Sequence, residues 1–292
     1  MNKTKYAVFT MDVEAFTDTE CVHNSSVKVD VDLMDGFDEY IKILDKYGIK
    51  STLFTVGKLA PKIADRLKSC LASGHRLALH SYEHIAPLEQ SVAQFREQTQ
   101  TAKQLLTDLF NTEIKGFRAP CFSIDEERLD VLRELGFQYD SSHLGYEIAR
   151  HTVKMDMSSF DNFRKGIFHK NGFFEFELSK ELVFGHRYPI SGGGYVRLGN
   201  WDFIKTLIWH YIRRNDYYVF YLHPFELSRE KVPFLKDLKW HDQYYLNYGI
   251  GSYGKKVERI IKMLKKCGYQ FVTFEELVDL MNREKAAAQS GL

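Results

Sequence analysis

Two acids close the first predicted strand of the chain, and their spacing is the first sign of chemistry. The stretch YAVFTMDVEAF, residues 6–16, begins as an apolar run and ends with Asp12 and Glu14. Because side chains alternate along a strand, the two carboxylates point the same way, whereas Met11 and Val13 point the other way. Burying an unpartnered carboxylate costs several kcal/mol, so the pair predicts a solvated rim, a cationic partner or a metal ion.

Two histidines four residues apart follow the third predicted strand. In RLALHSYEH, His80 ends the strand and His84 comes within one turn of it if the loop there is helical, a spacing that brings two imidazoles to one cation. A third ligand must come from elsewhere, and Asp12 or Glu14 supplies a carboxylate. Two histidines and one carboxylate leave positions for water and substrate, as in a catalytic metal site. The alternative is one histidine at a strand end and one in a loop, with no metal.

The same stretch fits the H-x-x-E-H pattern of inverted zinc proteases, in which Glu83 is the general base. That motif needs a continuous helix, but RLALH alternates like a strand and Pro87 follows three residues after the motif. The sequence therefore argues against a protease of this class.

Two further polar residues end predicted strands. Arg118 closes the strand in KGFRAP, and His223 closes the apolar strand YYVFYLH just before Pro224. A guanidinium at such a position holds a carboxylate in a fixed orientation through two parallel hydrogen bonds. The structural alternatives are a surface ion pair for Arg118 and a strand cap for His223. Because parallel α/β folds keep their chemistry at the carboxyl ends of strands, four such ends favour one shared site.

Alternating strands and helices are predicted to position these residues. Amphipathic helical patterns such as 31–48 and 91–110 alternate with short apolar strands, which indicates parallel βαβ units. Between residues 151 and 200 the pattern changes to period-two alternation followed by the cluster SGGG, which predicts a β-hairpin-like insertion and a close backbone approach. Six or seven βα units favour a barrel, although a doubly wound sheet fits the pattern too. We expect a single domain over residues 1–285 and a frayed tail over 286–292.

Composition excludes some classes of function. The 292 residues are 44% hydrophobic, and 40 Lys and Arg against 39 Asp and Glu give a net charge of +1, so nothing favours nucleic acid or an anionic membrane. Four widely spaced cysteines argue against a disulfide framework and a cysteine zinc site. The chain reaches charged residues before any long apolar stretch and has no transmembrane segment, so we expect a cytoplasmic protein.

Taken together, the motifs MDVE, HSYEH, RAPCF and the strand ending in LH resemble the polysaccharide deacetylase family, the NodB-homology carbohydrate esterases of family four. The resemblance spans residues 12–223 in the family's order. It implies an α/β fold, a distorted (β/α) barrel of about seven strands, and a hydrolase that removes acetyl groups from N-acetylated sugars or oligosaccharides. SGGGYVRL and YLHPFEL are also similar to the subgroup found with bacterial exopolysaccharide and O-antigen gene clusters, which implies a surface polysaccharide or lipopolysaccharide precursor as substrate.

The resemblance also implies a divalent metal ion, zinc first and cobalt or nickel as alternatives. His80 and His84 match the family's two metal histidines, and Glu14 matches its third ligand. Many members have two adjacent aspartates followed by glycine where this chain has Asp-Val-Glu. The register of ligand and base is therefore open, and in the alternative Asp12 binds the metal.

The proton-transfer residues follow from the same resemblance. Asp12 matches the general base, Arg118 the arginine that orients it, and His223 the general acid. Two alternatives keep the same fold: a deformylase or other C–N amide hydrolase on the same site, and a sugar-binding relative without catalysis.

Overall fold

The computed structural model describes residues 3–19, 22, 33–145, 155–236 and 238–290. The chain forms two compact units, each built from two segments. The first unit contains Met1–Ile49 and Ser179–Gln270, and the second contains Lys50–Leu178 and Phe271–Leu292.

The elements are numbered in chain order. The strands are β1 (Lys5–Val13), β2 (Thr52–Thr55), β3 (Arg76–Leu79), β4 (Gly116–Phe117), β5 (Tyr139–Asp140), β6 (Asp161–Arg164), β7 (Ile167–Lys170), β8 (Phe173–Phe176), β9 (Lys180–Val183), β10 (His186–Pro189), β11 (Tyr217–Leu222) and β12 (Tyr269–Phe271). The α-helices are α1 (Asp35–Tyr47), α2 (Ala64–Ala72), α3 (Val92–Phe110), α4 (Glu126–Glu134), α5 (Gly193–Leu198), α6 (Trp201–Arg214), α7 (Trp240–Asn247), α8 (Ile250–Lys266) and α9 (Phe274–Ser290).

A parallel strand pair forms the centre of the first unit. β1 pairs with β11, with Tyr6 opposite Tyr217 and Met11 opposite Leu222. All of β11, and all of β1 after its first residue, is buried, which explains why both strands are continuous apolar runs rather than alternating ones. β9 and β10 form a separate antiparallel hairpin.

The second unit contains a longer series of strands. β2, β3, β4, β5 and β8 pair in parallel in that order, and β8, β7 and β6 continue as an antiparallel meander. Helices α2, α3 and α4 lie between β2 and β3, β3 and β4, and β4 and β5, respectively. Helix α3, for example, begins at Ser91, whose hydroxyl accepts the backbone N–H of Gln94, while the Gln94 side chain accepts the N–H of Ser91.

The predicted insertion is confirmed over its described part, since the hairpins β6–β7 and β9–β10 fall within it; residues 151–154 lie outside the described residues. The glycine cluster is not only a turn, because it opens the short helix α5. Helix α7 has no counterpart among the predicted elements. Helix α9 runs to Ser290, so most of the segment predicted as a frayed tail, 286–292, continues this helix, and residues 291–292 lie outside the described residues.

Candidate active site

Strand β1 delivers both acids into a buried environment. Asp12 lies next to the last residue of the strand and Glu14 follows its end, and the two side chains are 2% and 3% exposed. The Glu14 N–H donates to the Asp12 carbonyl at 3.1 Å, which tightens the backbone where the strand stops. This degree of burial excludes the solvated rim and leaves a cationic partner or a metal ion for these carboxylates.

The two histidines lie in the loop that follows β3. The His80 N–H donates to the Thr55 carbonyl at 2.9 Å and continues the strand pairing by one residue. His84 has a φ of 61°, in a left-handed region sparsely populated by residues other than glycine, and its N–H donates to Ser81 Oγ at 2.9 Å. This turn brings the two imidazole centroids to 5.1 Å.

The loop is not helical, which supports the argument against a zinc protease. Between His80 and His84 the backbone forms bends rather than a helical turn. The side chain of Glu83 instead forms an ion pair at 3.3 Å with Lys58, which is 65% exposed. Glu83 therefore has the environment of a surface residue rather than that of a general base.

The tautomer of His80 follows from its hydrogen bond. Nδ1 lies 2.8 Å from the Arg118 carbonyl oxygen, and because a carbonyl only accepts, Nδ1 must carry the proton. The lone pair is then on Nε2, the nitrogen left to bind a metal ion. Metal-binding histidines are commonly oriented in this way by a bond from the second ring nitrogen.

Glu14, His80 and His84 form a group with metal-binding geometry. One ligand atom from each lies within 4.8 Å of the other two, and all three residues are buried. Two imidazoles and one carboxylate fit zinc, and they also suit cobalt or nickel. The residues present therefore fit a divalent metal ion.

Arg118 is fully buried, so the surface ion pair considered from the sequence is wrong. Its Nε donates to the Ser141 carbonyl at 2.9 Å, and its terminal nitrogen donates to Ser141 Oγ at 3.0 Å. The guanidinium also lies 4.1 Å from the centroid of the Phe54 ring. These contacts hold both the Arg118 side chain and, through its carbonyl, the imidazole of His80.

A buried pair of carboxyl groups supports the loop that binds Arg118. The Ser142 N–H donates to both Asp140 (2.8 Å) and Glu175 (3.1 Å), and Ser142 Oγ donates to Asp140 at 2.9 Å. Burial raises the pKa of Glu175 well above its usual range, and the adjacent Asp140 raises it further. Burial likewise raises the pKa of Asp140 to about 6, against the opposing effect of the bonds from Ser142.

His223 follows β11 and lies between two carboxylates of the first unit. Its Nδ1 is 3.1 Å from Glu226 Oε2, and its Nε2 is 3.9 Å from Glu14 Oε1. Burial by itself lowers the pKa of His223, but Glu14, Glu226 and, more weakly, Asp12 together raise the pKa to about 9. These neighbours favour the protonated imidazole, while the His223 backbone also caps the turn that follows β11.

Glu226 and Arg197 are parts of the site that the sequence reasoning missed. Arg197 Nε donates to Glu226 Oε1 at 2.9 Å, and both side chains are completely buried. Burial raises the pKa of Glu226, but His223 and Arg197 outweigh that effect and lower it. The available signals were the acid three residues after the histidine in HPFE and the motif SGGGYVRL, which contains Arg197, but neither showed that Arg197 pairs with Glu226, 29 residues away.

The glycine cluster explains how the segment before Arg197 reaches β11. Gly192 has a φ of 119° and forms a parallel bridge to Tyr221, and a Cβ there would lie 2.0 Å from the Tyr221 carbonyl. A Cβ on Gly194 would lie 2.5 Å from the ring of Tyr245. The close backbone approach predicted for the glycine cluster is therefore made to β11, the strand that precedes His223.

Two known protein families match successive parts of the chain. Residues 26–139 match the family described as "Polysaccharide deacetylase". Over these residues the chain is similar to polysaccharide deacetylases. Residues 148–279 match a second family, described as "Domain of unknown function (DUF3473)".

Sequence relatives are similar over part of their length. The chain is 32% identical over 114 residues to the "Peptidoglycan deacetylase-like protein FGM2" of Gibberella zeae, and the match covers 38% of this chain and 34% of that protein. The chain therefore spans about a third of the length of this curated relative.

Solved structures confirm the predicted fold class. A structure from Mycobacterium smegmatis, described provisionally as a polysaccharide deacetylase, superposes with a TM-score of 0.60 at 15% identity over 98% of this chain and 93% of that one. The peptidoglycan deacetylase PdaC from Bacillus subtilis superposes with a TM-score of 0.51 at 14% identity, over 98% of this chain and 96% of PdaC. BA3943 from Bacillus anthracis is described as a pseudoenzyme of carbohydrate esterase family four. It superposes with a TM-score of 0.54 at 13% identity, over 95% of this chain and 66% of BA3943. At these identities the likeness establishes the fold, a (β/α) barrel of the NodB type.

Two further findings concern the cysteines and the length and polarity of the helices. Cys70, Cys121 and Cys267 form no disulfide bond among the described residues, and Cys21 lies outside the described residues. In the parts of the chain that the structure describes, every helix is too short or too polar to cross a membrane.

Proposed function

We propose that this protein is a metal-dependent N-deacetylase that removes the acetyl group from an amino sugar of a bacterial surface polysaccharide or its precursor. The observation that carries the proposal is the buried group Glu14, His80 and His84, whose ligand atoms lie within 4.8 Å of one another. The similarity to polysaccharide deacetylases supplies the class of substrate, an acetylated carbohydrate. The cytoplasmic location stays a prediction from the sequence.

In this proposal Glu14, His80 and His84 hold the metal ion, with zinc the first choice. A bound divalent ion polarises a carbonyl and lowers the pKa of water from ~15.7 to roughly 7. The chain's contribution is to fix the ligands beforehand. The Nδ1–H bond of His80 to the Arg118 carbonyl and the Ser81 bond to the His84 backbone do this.

Proton transfer is assigned to the remaining groups. Asp12 accepts the proton of the attacking water, and Arg118 orients Asp12. Glu226, whose Oε2 lies 3.1 Å from His223 Nδ1, favours the protonated imidazole, and His223 gives its proton to the departing amine. Each such transfer contributes about 10²- to 10⁴-fold to the rate.

The experiment separates the base from the ligands. Acetate and free amine are measured after incubation with UDP-sugars, lipid-linked sugars and oligosaccharides, with zinc and with chelator, and the metal content of each variant is measured in parallel. Asp12→Asn is expected to lose at least about 10²-fold in rate and keep its metal, whereas His80→Ala is expected to lose both. Glu83→Gln, in the same loop but paired with Lys58, is the matched control and keeps both.

Two results would change the assignment. Equal metal loss in Asp12→Asn and His80→Ala would show that Asp12 is the ligand and Glu14 the base. Hydrolysis that is unaffected by chelator and by His80→Ala would refute the metal site itself.

A sugar-binding protein without catalysis is the second candidate. It is favoured by one observation: the similar fold of BA3943, which is described as a pseudoenzyme. In that case the purified protein binds oligosaccharides but releases no acetate with any added metal. The first candidate requires acetate release that a chelator abolishes and zinc restores.

A further inference from the structure

Helix α7 exposes an unusual row of aromatic rings. Trp240, Tyr244 and Tyr248 are spaced four residues apart and are 79%, 50% and 48% exposed. The rings of Tyr244 and Tyr248 stack with their centroids 4.7 Å apart and an interplanar angle of 24°. Trp240 and Tyr244 lie on one face of the helix, about 6 Å apart along its axis, and Tyr248 is the residue that directly follows the helix. We call these three residues the aromatic face.

The opposite side of α7 is fixed to the first unit's core. Leu246 is fully buried in the cluster that contains Phe225, and Tyr245 packs against the same cluster. A helix docked in this way ordinarily presents charged and polar side chains to solvent. Here the solvent side carries large rings, and such departures from the usual pattern concentrate at functional positions.

The aromatic face is connected to the candidate general acid by a short chain of contacts within the first unit. Arg197 donates to the carbonyls of Tyr245 and Tyr248 and to the Glu226 carboxylate. Glu226 in turn contacts His223 Nδ1 at 3.1 Å. The end of α7 is therefore held one arginine and one glutamate away from the group assigned to protonate the leaving amine.

From this arrangement we infer that Trp240, Tyr244 and Tyr248 form a binding face for the sugar chain that continues beyond the acetylated unit. Tyr and Trp suit this ligand because their rings stack on the apolar face of a sugar while their polar atoms stay in water. The inference rests on the proposed function, which supplies a carbohydrate substrate, and it adds a second surface of the first unit that contacts this substrate.

A second copy of the protein fits the face less well. Each large aromatic side chain buries roughly 150–250 Å² when covered completely, so three partly exposed rings offer roughly 400 Å² at most. A specific protein interface buries about 800 Å² on each partner. Exposed Lys239 and His241 also interrupt the apolar surface next to Trp240.

Binding is measured by calorimetry with N-acetylglucosamine oligomers of two and six units. The parent is Asp12→Asn, which is expected to keep its metal without hydrolysing the ligand. The hexamer is expected to bind more tightly than the dimer. Trp240→Ala and Tyr244→Ala are each expected to weaken hexamer binding by about three- to ten-fold and to leave dimer binding unchanged, and Trp240→Phe is expected to restore most of the affinity.

Phe184→Ala is the matched control, because Phe184 is 98% exposed at the β9–β10 turn. The inference is overturned if the hexamer binds no better than the dimer, if Phe184→Ala has the same effect as Trp240→Ala, or if the aromatic variants lose self-association instead of glycan affinity. Failure of the proposed function is a separate result, because it appears as absent acetate release from both oligomers whatever their affinities.

Discussion

A second polar residue holds two of the candidate site histidines in place. His80 is oriented by the Arg118 carbonyl, and Arg118 is held by Ser141. His223 is oriented by Glu226, whose charge is balanced by Arg197. Such supporting contacts decide how precisely reacting groups are placed. They also make the supporting residues sensitive to substitution.

Glu226→Gln is expected to destabilise the protein strongly. The substitution keeps the shape of the side chain but leaves the completely buried Arg197 without its carboxylate partner. Removing one member of a buried ion pair costs about 3–5 kcal/mol in the free energy of unfolding. Urea denaturation monitored by circular dichroism measures this loss.

Glu258→Gln provides the control for that measurement. Glu258 pairs at 2.8 Å with Lys46, whose side chain is 58% exposed, and exposed pairs contribute about 1 kcal/mol or less. A loss in Glu226→Gln no larger than in Glu258→Gln would contradict the argument that the buried charge must be paired.

Close packing at Gly36 fixes the position of the loop that follows β11. Helix α1 packs against the turn Pro224–Leu227, and a Cβ on Gly36 would lie 1.8 Å from the Pro224 carbonyl and 2.7 Å from the Ser228 nitrogen. Backbone atoms cannot move aside as a flexible side chain does. The position of His223 therefore depends on this contact.

Gly36→Ala is expected to lower both stability and activity. Overpacking of this kind costs about 1–3 kcal/mol, and the shift it forces falls on the residue directly after His223. Thermal unfolding and the kcat for acetate release measure the two effects. Gly251→Ala, in helix α8 with open space around its Cα, is the control and is expected to gain up to about 1 kcal/mol.

A different outcome would separate the two effects. If Gly36→Ala lowered stability but kcat stayed at the wild-type value, the turn would absorb the extra methyl group without moving His223. The packing argument would then apply to stability alone.

For the molecule as a whole, buried carboxyl groups link stability to pH. Burial raises the pKa of Glu175 well above its usual range and that of Asp140 to about 6. The native protein thus retains protons that the unfolded chain releases near pH 4. These two protonated carboxyl groups make their full contribution to the free energy of unfolding below about pH 4. The contribution is lost as the pH rises through about 6.

Glu175→Gln is expected to flatten this dependence. Between pH 5 and pH 8 the wild-type protein should lose free energy of unfolding with a slope of at most about 1.4 kcal/mol per pH unit for each retained proton, and the variant should lose less. Denaturant midpoints across this pH range are the measurement. Parallel pH profiles for wild type and variant would show that Glu175 is ionised in the native state.

The elements that the sequence predicted well are those whose burial is complete or periodic. β1 and β11 form apolar runs because both faces are covered, and α1 and α3 each bury one stripe of their surface. Helix α7 was not predicted because its exposed side is aromatic, so that the usual alternation of polar and apolar faces is missing. The exposed rings of Trp240 and Tyr244 thus both form the aromatic face and hide the helical pattern of α7 in the sequence.

The sequence by itself determined the order of strands and helices, the class of fold and the residue types at the strand ends, because periodicity and turn residues act locally. The sequence also led to the proposal of His80, His84 and either Glu14 or Asp12 as metal ligands. Only the tertiary structure decided that Asp12 and Glu14 are buried, which nitrogen of His80 bonds the Arg118 carbonyl, and that Arg197 pairs with Glu226 from 29 residues away. Those facts depend on contacts between distant segments, and no local pattern in the chain encodes such contacts.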